Sequence, residues 1–295
     1  MLPLILLFWL AGEIATYLWL GREIFGTTWP VAGAMAAGGV LLARLNINAL
    51  TWLSSRRFAS PAPWIGAIEF VRLMLQEFAA FILSFIFVLP FERLWMPADR
   101  LPANCGRTPI LLVHGYGCSR GVWWLMRRRL EAAGHVVASV SLFPPAAAIG
   151  RQVAQLKDRI EAVCSATGSK QVILLTHSMG GLVARSYLAR HGIAHVAKLL
   201  TLSAPHQGSE LARLGFGGAA RDMVPGNLWL RDMASEDIKL PAVSLRNPYD
   251  NYVMPQDNQR HPQMQDVELP PVGHLAALHD PRIARLLIDL LENSP

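Results

Sequence analysis

The stretch Gln171-Val172-Ile173-Leu174-Leu175-Thr176-His177-Ser178-Met179-Gly180-Gly181-Leu182-Val183-Ala184-Arg185 decides the fold. A short run of aliphatic residues bounded by polar ones reads as a buried strand. From Met179 the spacing becomes helical, so the chain passes from strand to helix around Ser178. A turn that sharp holds a serine in a tight backbone conformation, and the residues two before and two after it must be small. Thr176 and Gly180 fill those places. Thr176 stands where the pattern GxSxG has its first glycine, which weakens the hexapeptide alone. Strand, serine, double glycine and helix in that order are much stronger.

Around this stretch, short aliphatic runs alternate with amphipathic ones. Strands are expected over 108–113, 135–142, 171–176, 195–202, 242–245 and 267–269, and helices over 121–133, 147–166, 179–191 and 281–291. That rhythm predicts an α/β domain over 105–295, with a doubly wound, mostly parallel sheet. The strand ending at Val113 runs into His114-Gly115-Tyr116-Gly117. Acyl transfer puts negative charge on a carbonyl oxygen, which two pre-aimed N–H donors can stabilise. The backbone N–H groups of Met179, at a helix start, and of Tyr116, in the glycine-bounded loop, are the natural pair.

A nucleophilic serine needs a base, and the base needs an acid to orient it, in the chain order Ser, Asp, His. Asp250 follows the strand at 242–245 and His274 follows the last short strand, both at carboxyl ends where open parallel sheets build their sites. Asp257 is the competing acid and His279 the competing base. His274 is preferred because Gly273 permits a turn before it, whereas His279 adjoins the helix-starting Asp280-Pro281. His177 sits beside the nucleophile, but an elbow points its neighbours away, so it reads as a packing residue.

With these residues in hand, the chain from about Pro109 resembles the lipase and esterase group of the α/β-hydrolases. The matching segments are 114–117, 177–181, Ala204-Pro205-His206-Gln207-Gly208-Ser209, 250–255 and Gly273-His274. The Pro-His-x-Gly-Ser element is similar to one in bacterial triacylglycerol lipases and in glycosylphosphatidylinositol deacylases. The resemblance implies Ser178 as nucleophile, Asp250 and His274 as its partners, and Tyr116 and Met179 as oxyanion donors. It implies an esterase or lipase acting on lipid-like or small esters without cofactor or metal. Acyl transfer to another acceptor, or a non-catalytic scaffold that kept the fold, are the alternatives. A segment over 208–240, apolar and glycine-hinged, reads equally as a mobile cap or as helices packed on the core. Trp123 and Trp124 read as packing residues of the first helix.

The first hundred residues have a different composition. The whole chain is 52% hydrophobic and only 16% charged, against about 25% charged in a typical soluble domain. The excess lies in 2–20, 28–43 and 73–91, and no lysine occurs before residue 157. About 20 apolar residues cross a hydrocarbon core, so 1–95 is expected to anchor the chain in a membrane with two to three spans. The first stretch lacks the basic start and cleavage site of a removable leader. Glu13, Glu77 and Arg72 read as paired or snorkelling charges. Arg44, Arg56, Arg57 and Arg72 against Glu69 place the loop before the third stretch in the cytoplasm. Three spans then put the α/β domain on the far side, the periplasm of a Gram-negative inner membrane; a second stretch that does not span would reverse this.

The net charge of +6 comes with 4 lysines among 27 basic residues and no basic run, which argues against nucleic-acid binding. Cys105, Cys118 and Cys164 are too few and scattered for a disulfide framework or a zinc site. Oligomeric state is not legible.

Overall fold

The computed structural model describes residues 1–234 and 236–292; the last three residues of the expected α/β domain and Ser235 of the expected cap lie outside them. Three helices lead. Helix α1 (Leu2–Trp19) continues through a wider turn to Ile24, α2 is Trp29–Arg57, and α3 (Ala67–Ile82) continues similarly to Val88. All three are long and apolar enough to cross a membrane, by length and composition. A short α4 (Glu92–Trp95) leads into the sheet domain.

Sequence placed the end of the second stretch at residue 43, but α2 runs on to Arg57. The charge that interrupts the stretch, and Thr51 further on, find tertiary partners in Glu13 and Asn251. Arg44 pairs with Glu13 of α1, and Asn48, Thr51 and Ser55 are buried. The helix there is decided by packing, not by local apolarity.

In the sheet domain the order is β1 (Ile110–Val113), α5 (Trp124–Ala132), β2 (Val137–Val140), α6 (Ile149–Thr167), β3 (Val172–His177), α7 (Met179–His191) and β4 (Val196–Leu202). Then come α8 (Gly217–Asp222), α9 (Leu228–Ala234), β5 (Ala242–Arg246), β6 (Gln265–Glu268) and α10 (Pro281–Glu292). The six strands lie in the order β2-β1-β3-β4-β5-β6 and every pairing is parallel. Strand side chains alternate between faces. Ile110 and Leu112 join Met126 of α5 and Leu287 of α10 on one face, whereas Leu111 and Val113 join Leu156 of α6 and Val183 of α7 on the other.

The chain leaves β1 for β2 on one side and returns to β3 on the other, so β1 and β3 bracket the switch point where such sheets hold their sites. Val113 lies level with Thr176 in the register. The loop after His114 and the turn at Ser178 therefore emerge side by side.

Helix α3 does not stand apart from this domain. Its Ala80 and Phe81 are buried in the same core as Leu275, Ala276 and Leu278. Burying a side chain as large as Phe81 contributes about 1.5–3 kcal/mol.

Candidate active site

Ser178 occupies the turn between β3 and α7 with φ +54° and ψ −130°. A non-glycine residue holds such a conformation at a cost of about 1–3 kcal/mol, so the surroundings must impose it. They do so on both sides. Ser178 N–H donates to Leu202 O of β4 at 2.9 Å, and Gly181 N–H to Ser178 O at 3.0 Å. The β1 loop passes so close that a Cβ on Gly115 would lie 2.8 Å from Ser178 Cβ, and one on Gly180 2.7 Å from His114 O. Thr176 fits as the small residue below, buried, with Oγ1 3.3 Å from Leu200 O.

His114 sets the path of the β1 loop. Leu142 N–H donates to its Nε2 at 2.8 Å, so Nδ1 carries the proton and donates to Gly115 O at 2.8 Å. Burial pushes its pKa down to about 4, which keeps the ring neutral in this role. The N–H groups of Tyr116 and Met179 have no acceptor among the described residues. The Tyr116 hydroxyl instead ties the loop to the cap, donating to Phe216 O at 2.7 Å and accepting from Phe216 N–H at 3.2 Å.

Asp250 and His274 meet at the same edge. His274 Nδ1 lies 2.8 Å from Asp250 Oδ2, and both residues are buried. The other carboxylate oxygen, Oδ1, accepts from Tyr252 N–H at 2.7 Å and Val253 N–H at 2.8 Å. The acid is thus held by its own loop and offers one oxygen to the ring. Burial alone lowers the pKa of His274, but the Asp250 charge and hydrogen bond, with a further push from Glu77, outweigh it and the pKa is raised. The ring stacks on Tyr252 at 5.0 Å and lies 4.5 Å from that of His177. No hydrogen bond joins Ser178 Oγ to His274 among the described residues, and such bonds often tighten only with substrate bound.

The competing residues lie elsewhere. Asp257 pairs with Arg260 at 3.0 Å. His279 meets Ser84 of α3 at 3.3 Å, and burial, with Arg129 nearby, pushes its pKa down to about 4. His177 packs as sequence suggested: its Nε2 donates to His274 O at 3.2 Å, its ring meets Trp123 edge-on, and burial holds its pKa well down. The three cysteines are free.

Two contributions escaped the sequence. Glu77 of α3 is buried and accepts from Leu275 N–H at 3.0 Å and Ala276 N–H at 2.8 Å, directly after the histidine. A Cβ on Gly273 would lie 2.7 Å from Glu77 Cβ and closer still to the carboxylate. Gly273 is therefore needed for close approach, not for the turn that sequence gave as its reason. Thr51 of α2 accepts from Asn251 Nδ2 at 2.9 Å, and Asn251 Oδ1 in turn accepts from His274 N–H at 3.2 Å. The only sequence signal for Glu77 was an acid in an apolar run; Thr51 had none.

Beside Ser178 opens a cleft of about 520 Å³, lined by Tyr116, Leu211, Phe216 and Tyr252 and, from α2, by Ile47 and Leu50. Its walls are apolar, and Ser209 braces its floor, donating to Tyr252 O at 2.6 Å and accepting from Met254 N–H at 3.1 Å.

The parallel sheet with its flanking helices superposes on solved structures. A Bacillus licheniformis lipase superposes with a TM-score of 0.58 at 19% identity, covering 67% of this chain and 96% of its own. The domain has the α/β-hydrolase fold. Residues 146–257 match the model of the PGAP1-like alpha/beta domain. Triacylglycerol lipases of Pseudarthrobacter phenanthrenivorans and Burkholderia plantarii are each 34% identical over 114 residues, 36% of this chain. The match spans about a third of their length, 35% and 32%.

Proposed function

We propose that the chain is a membrane-attached serine hydrolase of acyl esters, with Ser178 as nucleophile, His274 as general base and acid, and Asp250 as its orienting anion. Ser178 Oγ bonds to the ester carbonyl carbon while His274 Nε2 takes the hydroxyl proton. The N–H groups of Tyr116 and Met179 receive the oxyanion. The ester C–O bond then breaks, His274 gives its proton to the departing alcohol, and water, activated by the same ring, releases the acid from the acyl-enzyme. Asp250 fixes the tautomer with Nδ1 protonated and stabilises the imidazolium that forms.

The observation that carries this reading is the strained serine turn and the 2.8 Å His274–Asp250 contact at one sheet edge. The apolar cleft and the lipases among the relatives favour an acyl chain as the bound group. Hydrolysis of p-nitrophenyl butyrate and octanoate by the full chain in detergent tests it. Ser178→Ala is expected to lower kcat by at least about 10⁴-fold, as loss of a catalytic serine does. Equal turnover by variant and parent would contradict it.

A further inference from the structure

The three apolar helices are not equivalent in how they meet the α/β-hydrolase domain. Helices α1 and α2 form a hairpin, joined by the Glu13–Arg44 ion pair and by Gly39 lying against the Tyr17 ring. Its turn is exposed, with Phe25 at 64% and Trp29 at 66%. Its open ends reach the domain, through Leu6 packed on the sheet core and Thr51 bonded to Asn251.

Helix α3 is tied to the domain at its middle and near its end, and so are the segments on either side of it. Just before it, Ser60 N–H donates to Gln256 Oε1 at 2.8 Å and Tyr249 OH to Pro63 O at 2.6 Å. At its middle Glu77 holds the His274 loop, and near its end Ser84 meets His279. Just after it, Glu92 pairs with Arg120 at 3.1 Å. A helix of 22 residues is about 33 Å long, and a spanning helix must leave its ends on opposite sides of about 30 Å of hydrocarbon. One folded domain cannot grip both ends across that distance. The outer face of α3 is nonetheless apolar: Ile68 is 87% exposed and Leu75 63%, and Trp64, just before the helix, 88%. An apolar stripe on a helix packed flat against a folded domain suits the interface plane of a bilayer.

We infer that α1 and α2 form the membrane-crossing hairpin, that α3 lies in the interface between bilayer and hydrolase domain, and that the cleft beside Ser178, walled by Ile47 and Leu50 of α2, takes its acyl chain sideways from the adjoining leaflet. Phe216, 76% exposed, and Leu214, 70% exposed, line the same cleft and extend the apolar rim. Two spans instead of three also reverse the orientation expected from sequence. The domain then shares a side with Arg56, Arg57 and Arg72, and positive-inside bias makes that side the cytoplasm.

The substrate part rests on the hydrolase reading above; the topology part does not. For topology, one cysteine at a time is added at Phe25, Ala62 or Lys170 of the full chain, with Cys105→Ser and Cys164→Ser and the buried Cys118 kept. Right-side-out and inverted membrane vesicles of expressing cells are treated with a membrane-impermeant maleimide. Ala62→Cys and Lys170→Cys are expected to label only in inverted vesicles, and Phe25→Cys only in right-side-out ones. Labelling of Ala62→Cys and Lys170→Cys from opposite faces, or of Phe25→Cys from their face, would overturn the arrangement. For access, Leu50→Trp is expected to lower the ratio of kcat/KM on dodecanoyl to butanoyl esters by about tenfold, the scale of a blocked apolar subsite. An unchanged ratio would overturn the access route. Absence of any ester turnover by the parent chain would instead sink the hydrolase reading and leave the labelling result standing.

Discussion

Asp250, from the loop after β5, places Oδ2 2.8 Å from the His274 ring, whereas Glu77, from α3, accepts the backbone N–H groups of the two residues that follow. Both carboxylates are buried and each is hydrogen-bonded, but one acts on the imidazole and the other on the loop that carries it. In the proposed reaction the first sets protonation and tautomer of the base. Glu77 sets position, and it does so from the first third of the chain, whose composition points to lipid. The difference teaches that the apolar helices are a structural part of the site, not only an attachment.

The largest expected break in this comparison comes from Asp250→Asn. Its Oδ1 role toward Tyr252 and Val253 can persist, while the anion beside the ring is lost, so kcat is expected to fall about 10⁴-fold with the fold retained. The same variant tests the pH dependence. An imidazole acts as a base only when neutral, and Asp250 raises the pKa of His274. Activity should therefore be full above that raised pKa and fall as pH drops through it. In Asp250→Asn the residual activity's acid limb should move to lower pH in a kcat/KM profile.

Glu77→Ala is expected to act less on chemistry and more on stability. It leaves two buried N–H donors without an acceptor at about 1–3 kcal/mol each, so denaturant unfolding should show a loss of roughly 2–6 kcal/mol. Its kcat should fall about 10- to 100-fold, because a displaced loop carries the base away from Ser178, while the acid-limb pKa should move much less than in Asp250→Asn.

Gly273→Ala sharpens the geometry further. Against Glu77 the added methyl should cost about 1–3 kcal/mol by overpacking. In a Glu77→Ala background the same change should be neutral within about 0.5 kcal/mol. Additive effects in that double-mutant cycle would mean that the two residues do not meet as described.

The smallest effect is expected of Tyr116→Phe. The hydroxyl ties the loop to Phe216 at an exposed edge, and a hydrogen bond of that kind contributes about 0.5–1.5 kcal/mol. The change should lower kcat/KM by less than about tenfold.

What was legible in the sequence follows the range of the interactions. The strand at Val172–His177, the helix at Met179–His191 and the Ser178 turn between them are specified within about twenty residues, and local pattern sufficed to read them. The order of Asp250 and His274 was legible because both follow strands. Asp257 and His279 could be weighed against them only by local neighbours, and their separate partners emerge only in three dimensions. Glu77 bonds to residues almost two hundred positions away, and nothing in its own helix announces that. Helix α2 was cut short at residue 43 for the same reason, since Arg44 looks like a break in an apolar run until Glu13 is placed beside it. In the segment 208–240, Ala219, Met223 and Leu230 are buried on the core, while Leu214, Phe216 and Leu228 stand exposed.

The central claim, that Ser178 is a nucleophile activated at this sheet edge, is tested most directly by covalent labelling. The full chain in detergent is treated with a fluorophosphonate and its mass measured intact and after digestion. The account expects one adduct per chain, on the peptide holding Ser178, absent in Ser178→Ala and much slower to form in Asp250→Asn. No adduct on the folded parent chain, or an adduct on another residue that persists in Ser178→Ala, would contradict it.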